Sequence, residues 1–285
     1  MSTISSGIPQ SETGLRAFVK RHPVITVSIL MLAFAWPGMI WEALYSRGLV
    51  PTQSPIVLSL LIGWVPGLAA IAVTAILAGR AGVRDLLRRF LIWRVGLRWY
   101  LVGFFLLAAI ILGGIGLHVL FGGVPPVIPA AGSAWWEIAL SFALLIVVGS
   151  LLNTEEIAWR GFVLPRLQGK YGALAASILL TIPEALLHLP YFWNRDVDFY
   201  QTVGVFWFTA FAVAAVFIYT YVFNKTRGSL LIVTIMHASQ NAWSNLLSDN
   251  TLRPFQFTVA VVWMIAIALI FLTKGQLGYE PEGNE

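Results

Sequence analysis

Residues 99–121 read WYLVGFFLLAAIILGGIGLHVLF, a run without a single Asp, Glu, Lys or Arg. A helix of this length is about 35 Å long, because each residue adds about 1.5 Å. The hydrocarbon core of a bilayer is about 30 Å thick, so the run is long enough to cross it. Similar apolar blocks recur along the whole chain, and together they decide its class.

Eight blocks have the length and apolar character of membrane spans, and Gly, Pro or polar clusters separate most of them. They lie approximately at 24–44, 56–78, 99–121, 136–163, 172–190, 204–223, 229–247 and 255–273. The sequence contains no internal repeat and no low-complexity tract. We therefore predict an all-α fold, a polytopic integral membrane helical bundle with about eight transmembrane helices. One membrane-embedded domain would cover 24–273, between tails at 1–23 and 274–285.

The composition supports this class and excludes several others. Hydrophobic residues make up 58% of the chain and charged residues 11%, whereas a soluble domain carries about 25% charged residues. The absence of cysteine excludes disulfides, thiolate metal ligands and a cysteine nucleophile. The net charge of +5 does not indicate a nucleic-acid partner, because the basic residues lie in short loops beside apolar blocks. The expected partner is the lipid bilayer.

The basic residues also predict the orientation. With a cytoplasmic N-terminus, all but three of the 18 Lys and Arg residues fall on the cytoplasmic side. The three exceptions are Arg47, Arg195 and Arg253. Positively charged loops stay in the cytoplasm, so we predict both termini there, in a plasma or inner membrane. The first block is too long for a signal-peptide core and is expected to be retained.

Residues 79–99 alternate Arg with Leu, Phe, Ile and Trp. This pattern is typical of an amphipathic helix at the membrane surface, with arginines facing anionic headgroups. A positively charged loop without a further role explains the pattern equally well.

Three groups of polar residues interrupt the apolar blocks. Each needs a reason, because a charge at the centre of a bilayer costs about 3 kcal/mol on insertion scales. In the first group, Glu156 and Arg160 lie one helical turn apart in the order that favours an ion pair. Glu155 is rotated by about 100° and would face elsewhere, for example into a cavity. The alternative is a helix end that reaches cytoplasmic water.

The second and third groups lie on later spans. A polar stripe at helical spacing comprises Ser177, Thr181, Glu184 and His188. In the third group, His237 and Asn241 are one turn apart. Polar faces inside a membrane must contact protein or a water-filled cavity. Hydrogen-bonded seams between helices are the alternative to a site for chemistry.

These residue types support two kinds of hydrolytic site. Glutamate with histidine can deprotonate a water that attacks an amide, while a second histidine with asparagine donates to the oxyanion. Alternatively, Glu155, His188 and His237 hold Zn²⁺ and leave one position for water. The sequence has no His-Glu-x-x-His, no Asp inside a span and no Gly-x-Ser-x-Gly, which excludes other protease chemistries. Both arrangements stay open at this point.

The three polar groups resemble, in order, the three motifs of the CPBP family of intramembrane proteases (CAAX-processing and bacteriocin-processing, also called Abi). The matching elements are Glu155-Glu156-x-x-x-Arg160, His188-Leu189-Pro190 and His237-x-x-x-Asn241. The resemblance covers about 79–243, and the family includes type II CAAX prenyl endopeptidases. It implies an intramembrane endopeptidase, with or without Zn²⁺, whose catalytic core lies at about 136–247. The substrate would be a membrane-associated protein or peptide, either a prenylated CAAX type or a bacteriocin type.

The resemblance also implies residue roles. Glu155 with His188 would activate water, and Glu156 with Arg160 would support them. His237 with Asn241 would stabilise the oxyanion.

The chain departs from the family at Glu184, where the second motif usually has Phe four residues before its His. The carboxylate is expected to tune His188, to bind a metal, to alter substrate preference, or to mark a member without activity.

Two other functions fit the intramembrane acids. A transporter could use Glu and His as a proton relay, but it would be expected to show repeat symmetry, and the sequence shows none. A non-catalytic membrane scaffold of the same fold is the second.

Overall fold

The computed structural model describes residues 14–248 and 250–280, and regular structure in these ranges is helical throughout. The α-helices are α1 (Leu15–Arg21), α2 (Pro23–Tyr45), α3 (Ile56–Ile62), α4 (Val65–Arg88), α5 (Leu97–Leu120), α6 (Trp135–Leu152), α7 (Glu155–Ala158), α8 (Leu164–His188), α9 (Asp198–Lys225), α10 (Leu230–Leu247) and α11 (Leu252–Leu272). A π-helical turn at Trp159–Val163 joins α7 to α8. The predicted all-α class is confirmed.

Within the described ranges, seven helical segments are long and apolar enough to cross a membrane. They are Pro23–Tyr45, Val65–Leu91, Leu97–Leu120, Trp135–Leu152, Glu155–Trp193, Asp198–Lys225 and Leu252–Leu272. The predicted span 229–247 corresponds to α10, which is not among the seven. Its polar side chains reduce its hydropathy, since the third polar group lies on it.

Helix α10 nevertheless runs from one end of the bundle towards the other. At its start, Ser229 Oγ donates a hydrogen bond to the carbonyl of Ile92. At its end, the carbonyl of Leu246 accepts one from the amide of Ala130. Residues 92 and 130 precede and follow α5, which packs along α10.

Two predicted spans contain breaks that we did not predict. The span 56–78 is interrupted between α3 and α4, and the span 136–163 is interrupted between α6 and α7. The two breaks contact each other: the Thr154 amide donates to the Gly63 carbonyl at 2.9 Å, and the Gly67 amide donates to Thr154 Oγ1 at 2.9 Å. Backbone groups at membrane depth need partners within the protein, and each break supplies them to the other.

The break before Glu155 has a local cause as well. Asn153 Oδ1 accepts a hydrogen bond from the Glu155 amide at 2.9 Å. A side chain that captures the backbone in this way competes with the helical hydrogen bond and favours a helix start. The prediction of one continuous helix through 136–163 is therefore wrong, and a new helix begins at Glu155.

The amphipathic segment 79–99 is helical only in its first part. Helix α4 has a break in its backbone dihedral angles at Gly79, continues to Arg88 and is followed by a 3₁₀ turn at Arg89–Leu91. The chain then turns without helix until α5 begins at Leu97. The predicted surface helix is thus shorter than 79–99 and ends in a turn.

Helix α6 lies at the edge of the bundle. None of its described residues is buried, and it packs mainly against α10. Its apolar side chains include Trp135 and Leu144, which are exposed on the protein surface and would face lipid. The end of this peripheral helix leads directly into the break before Glu155.

Candidate active site

Glu155 is the first residue of α7, so its carboxylate lies at a helix start. Its Oε2 accepts a hydrogen bond from Trp159 Nε1 at 3.1 Å, and its Oε1 accepts one from Asn153 Nδ2 at 3.1 Å. The unpaired amides of a helix start stabilise a nearby negative charge. The Glu155 carboxylate is therefore fixed in position from two sides.

Glu156 faces the interior and is fully buried. Its Oε1 accepts hydrogen bonds from Arg160 at 3.1 Å and from His237 Nδ1 at 2.9 Å. The Arg160 guanidinium is also buried and lies 4.5 Å above the ring of Tyr219. A buried charge is tolerated when it is paired. The ion pair between Glu156 and Arg160 is the one predicted from their four-residue spacing. The two adjacent glutamates face different surroundings, as their 100° rotation predicts.

His237 joins the two glutamates. Its Nδ1 donates to Glu156, and its Nε2 accepts from Asn153 Nδ2 at 3.3 Å. The same Asn153 amide donates to Glu155, so one side chain contacts both the carboxylate and the imidazole. The first and third polar groups of the sequence therefore meet.

His188 ends α8, half-buried among aromatic rings of which Phe208 is 5.1 Å away between centroids. Its Nδ1 donates to the backbone carbonyl of Glu184 at 2.8 Å. One turn before His188 on the same helix, the Glu184 carboxylate lies 3.8 Å from Arg160 of the first polar group. The second polar group thus contributes its histidine to the same region.

The Glu184 carboxylate has a different neighbour from the one we expected. Its Oε2 is 3.8 Å from Arg160, and it accepts no hydrogen bond within the described ranges. His188 is bonded to the backbone of Glu184 and not to its carboxylate. Ser177, in the same stripe, shares a hydrogen bond with Thr220 across α8 and α9, so this part of the stripe is a seam between helices.

Asn241 is the predicted site residue that the structure does not bring to the others. Its side chain is exposed one turn after His237, and its backbone carbonyl accepts a hydrogen bond from Asn245. Among the residues described, no hydrogen bond joins its side chain to Glu155, Glu156 or His188.

Three contacting residues were not predicted as members of the site. Asn153 links Glu155 to His237, Trp159 donates to Glu155, and Tyr219 covers Arg160. Asn153 had a signal, because Asn followed by Thr and an acidic pair is typical of a helix start. Tyr219 had none, since it lies inside an apolar run of another helix.

The donors proposed for Zn²⁺ are only partly suited to it. Each histidine engages Nδ1 with an oxygen, which is the usual state of an imidazole that binds a metal through Nε2. However, both Glu155 oxygens accept hydrogen bonds, and His237 Nε2 contacts Asn153. Across 14–248 and 250–280, no group of three His, Asp or Glu side chains is placed to hold a metal ion.

Two comparisons with known proteins bear on the site. Residues 134–243 match the family model described as "Type II CAAX prenyl endopeptidase Rce1-like". The chain is also 28% identical over 223 residues to "CAAX prenyl protease 2" of Methanococcus maripaludis, with 74% of this chain and 81% of the relative covered. The matched residues run from the start of α6 into α10 and include all six predicted catalytic residues.

Proposed function

We propose that this chain, which both comparisons support as a member of the CPBP/Rce1-like family, is a membrane endopeptidase that activates water with Glu155 and His188. The observation that carries the proposal is the Asn153 amide, which contacts both the Glu155 carboxylate and His237 Nε2. It brings an acid–base group and an oxyanion donor together in an otherwise apolar bundle. These are the two functions that amide hydrolysis requires.

In the first step, a water beside Glu155 loses a proton to the carboxylate and attacks the scissile carbonyl carbon. Trp159 and Asn153 hold the carboxylate by one hydrogen bond to each oxygen and leave lone pairs for the water. His188 donates through Nδ1 to a backbone carbonyl, so its Nε2 is available to accept a hydrogen bond from the same water. Glu155 then gives the proton to the leaving amine, and the C–N bond breaks.

His237 supports the charge that develops on the carbonyl oxygen. Glu156 orients the ring through Nδ1 and stabilises its protonated form, and Arg160 keeps Glu156 paired. Protonated His237 donates Nε2–H to the oxyanion, which replaces the contact with Asn153. Asn241 would add a second donor, as the family resemblance implies, because its side chain is exposed on the same helix.

The substrate we propose is a protein or peptide held at the membrane. The relative is named a CAAX prenyl protease, so a prenylated CAAX-type peptide is the first candidate and a bacteriocin-type peptide is the second. The peripheral position of α6 supports this choice. A membrane-embedded substrate could approach the break before Glu155 along the apolar surface of α6. Interrupted helices alone would also suit a transporter, but both comparisons favour a protease.

The test is cleavage by purified protein in lipid nanodiscs, followed by mass spectrometry of the products. A prenylated CAAX peptide, the same peptide without its prenyl group and a bacteriocin precursor separate the substrate classes. Glu155→Gln, His188→Ala and His237→Ala should each reduce kcat by about 100-fold or more, because general acid–base catalysis contributes about that much. Glu137→Gln is the matched control, since that exposed carboxylate lies at the far end of α6. Normal turnover by Glu155→Gln would contradict the assignment.

The mechanism is written without a metal, because the donors do not converge on one position in the described residues. We predict that turnover survives dialysis against a strong chelator and that the purified protein contains less than one equivalent of zinc. Activity measurements paired with elemental analysis check this. Loss of turnover that added Zn²⁺ restores would instead support the site of Glu155, His188 and His237.

A further inference from the structure

A cavity of about 330 Å³ lies between the turn after α4 and the loop before α10. Its lining comprises Leu91, Ile92, Trp93, Arg94 and Arg227. We call it the arginine cavity. It lies at the ends of α4 and α9, two helices that are long and apolar enough to cross a membrane.

The turn that forms the cavity is held by hydrogen bonds on three successive carbonyls. Ser229 Oγ donates to Ile92, Tyr100 donates from its hydroxyl to Trp93, and Arg227 donates to Arg94. The donors come from separate parts of the chain. The cavity is therefore preformed, which reduces the entropy lost when a ligand binds.

The two arginines that line the cavity lack an acidic partner. Both are exposed, and in the described parts of the chain no carboxylate lies within ion-pair distance of Arg94 or Arg227. The Arg227 guanidinium uses one donor on the Arg94 carbonyl, which leaves other N–H groups free. The Arg94 guanidinium lies 4.8 Å over the ring of Trp93 and retains its own donors. The pair is suited to a phosphate, which arginine binds through paired N–H groups.

Apolar side chains beside the arginines indicate that this phosphate belongs to a lipid. Leu91 is 73% exposed, Leu97 is 74% exposed and Trp93 is 55% exposed. Leucines at such positions suit acyl chains, and tryptophan is enriched at the level of lipid headgroups. A free phosphate would gain nothing from them.

We infer that the arginine cavity binds the headgroup of an anionic phospholipid, with its phosphate on Arg94 and Arg227 and its acyl chains along Leu91 and Leu97. This specifies one headgroup position within the segment whose sequence predicts only a basic membrane surface. It does not depend on the proposed proteolysis. Because Ser229 begins α10 and is bonded to the cavity turn, a bound headgroup also stabilises the start of the helix that carries His237.

The experiment measures lipid binding to the full chain by native mass spectrometry, with dioleoylphosphatidylglycerol and dioleoylphosphatidylcholine titrated separately. The wild-type protein should retain one phosphatidylglycerol in preference to phosphatidylcholine. The double variant Arg94→Gln/Arg227→Gln should bind it about 10- to 30-fold more weakly, since each arginine near an anionic lipid contributes about 1 kcal/mol.

The matched control is Arg80→Gln/Arg84→Gln, which removes the same charge from exposed positions of the same basic segment outside the cavity. It should bind phosphatidylglycerol as the wild type does. Equal losses in both double variants would mean diffuse attraction, and no loss in either would mean that the cavity binds no headgroup. Each of these results overturns the inference.

Two further measurements avoid reliance on variants. A photoactivatable phosphatidylglycerol should crosslink to the wild-type peptide that contains residues 91–97, and crosslinking confined to other peptides contradicts the site. Millimolar inorganic phosphate should leave the bound lipid in place. Complete displacement by phosphate would identify a small-anion site instead.

Discussion

Asn153 is a residue whose removal tests how far the positioning of Glu155 and His237 matters for turnover. Its amide orients the Glu155 carboxylate and the His237 ring, so Asn153→Ala leaves both groups present but removes one of the two hydrogen bonds that hold each of them. We expect kcat to decrease about tenfold or more, corresponding to a loss of at least about 1.4 kcal/mol of transition-state stabilisation. Steady-state kinetics with a melting curve measure this, and Asn245→Ala on exposed α10 surface is the control. Unchanged kcat would show that the amide has no catalytic role.

Glu184, where the chain departs from the CPBP pattern that it resembles, gives a second prediction. Its carboxylate contacts Arg160 and leaves the imidazole of His188 to a backbone carbonyl. We therefore expect Glu184→Gln and Glu184→Phe to retain turnover within about threefold, since neither reacting group is removed. The peptide assay checks both variants. A loss comparable to that of Glu155→Gln would instead identify Glu184 as a base or ligand.

Contacts between residues close in sequence could be predicted at this site, whereas contacts between distant residues could not. The pair Glu156–Arg160 follows from helical spacing, because its members are four residues apart. The contacts of His237 with Glu156 and Asn153 cross 81 and 84 residues. No local pattern encodes such contacts, so the family resemblance supplied the grouping and the structure supplied the pairs.

At the scale of elements, the two helix breaks determine where Glu155 lies. Glycine is required where they approach: a Cβ on Gly63 would be 2.0 Å from the Leu152 carbonyl oxygen, and one on Gly67 would be 2.6 Å from Thr154 Cβ. Larger residues at either position would push α4 away from the start of α7.

We predict that Gly67→Ala lowers both thermal stability and turnover, because overpacking typically costs about 1–3 kcal/mol and here displaces Glu155. Gly116→Ala is the matched control, since a Cβ there meets no atom within 4 Å. Melting temperatures and kcat of the two variants provide the comparison. Equal melting temperatures and equal kcat for the two variants would mean that the close approach of the two breaks is not required.

The apolar periodicity predicted the existence and type of these helices but missed the breaks. Gly63 and Asn153 lie inside apolar blocks, and each break is stable only because the other satisfies its backbone. A pattern read along one segment cannot show that a distant segment supplies its hydrogen bonds.

On the scale of the whole molecule, the distribution of basic residues predicts that both termini are cytoplasmic. In the described chain, Glu280 pairs with Lys225 at 3.3 Å, close in sequence to Arg227 and its contact with Arg94. Glu280 thus lies at the same end of the bundle as the basic turn after α4.

Cysteine labelling can test this orientation, because the natural chain has no cysteine to interfere. Single cysteines at Ser5 and Gly283, which lie outside the described residues, should react only after cells are opened. A cysteine at Ser133, in the loop before α6, should react in intact cells and is the control. Labelling of a cysteine at position 5 or 283 in intact cells would contradict the predicted cytoplasmic location of the termini.

The hydrogen bond between Glu156 and His237 has a consequence for the biosynthesis of the protein. The ribosome synthesises α7 well before α10, because His237 lies 81 positions after Glu156 in the chain. Until α10 is synthesised and packed into the bundle, Glu156 and Arg160 lack the contact with His237, and the site is incomplete. The site proposed for hydrolysis is therefore complete only near the end of synthesis, when α10 has joined the bundle.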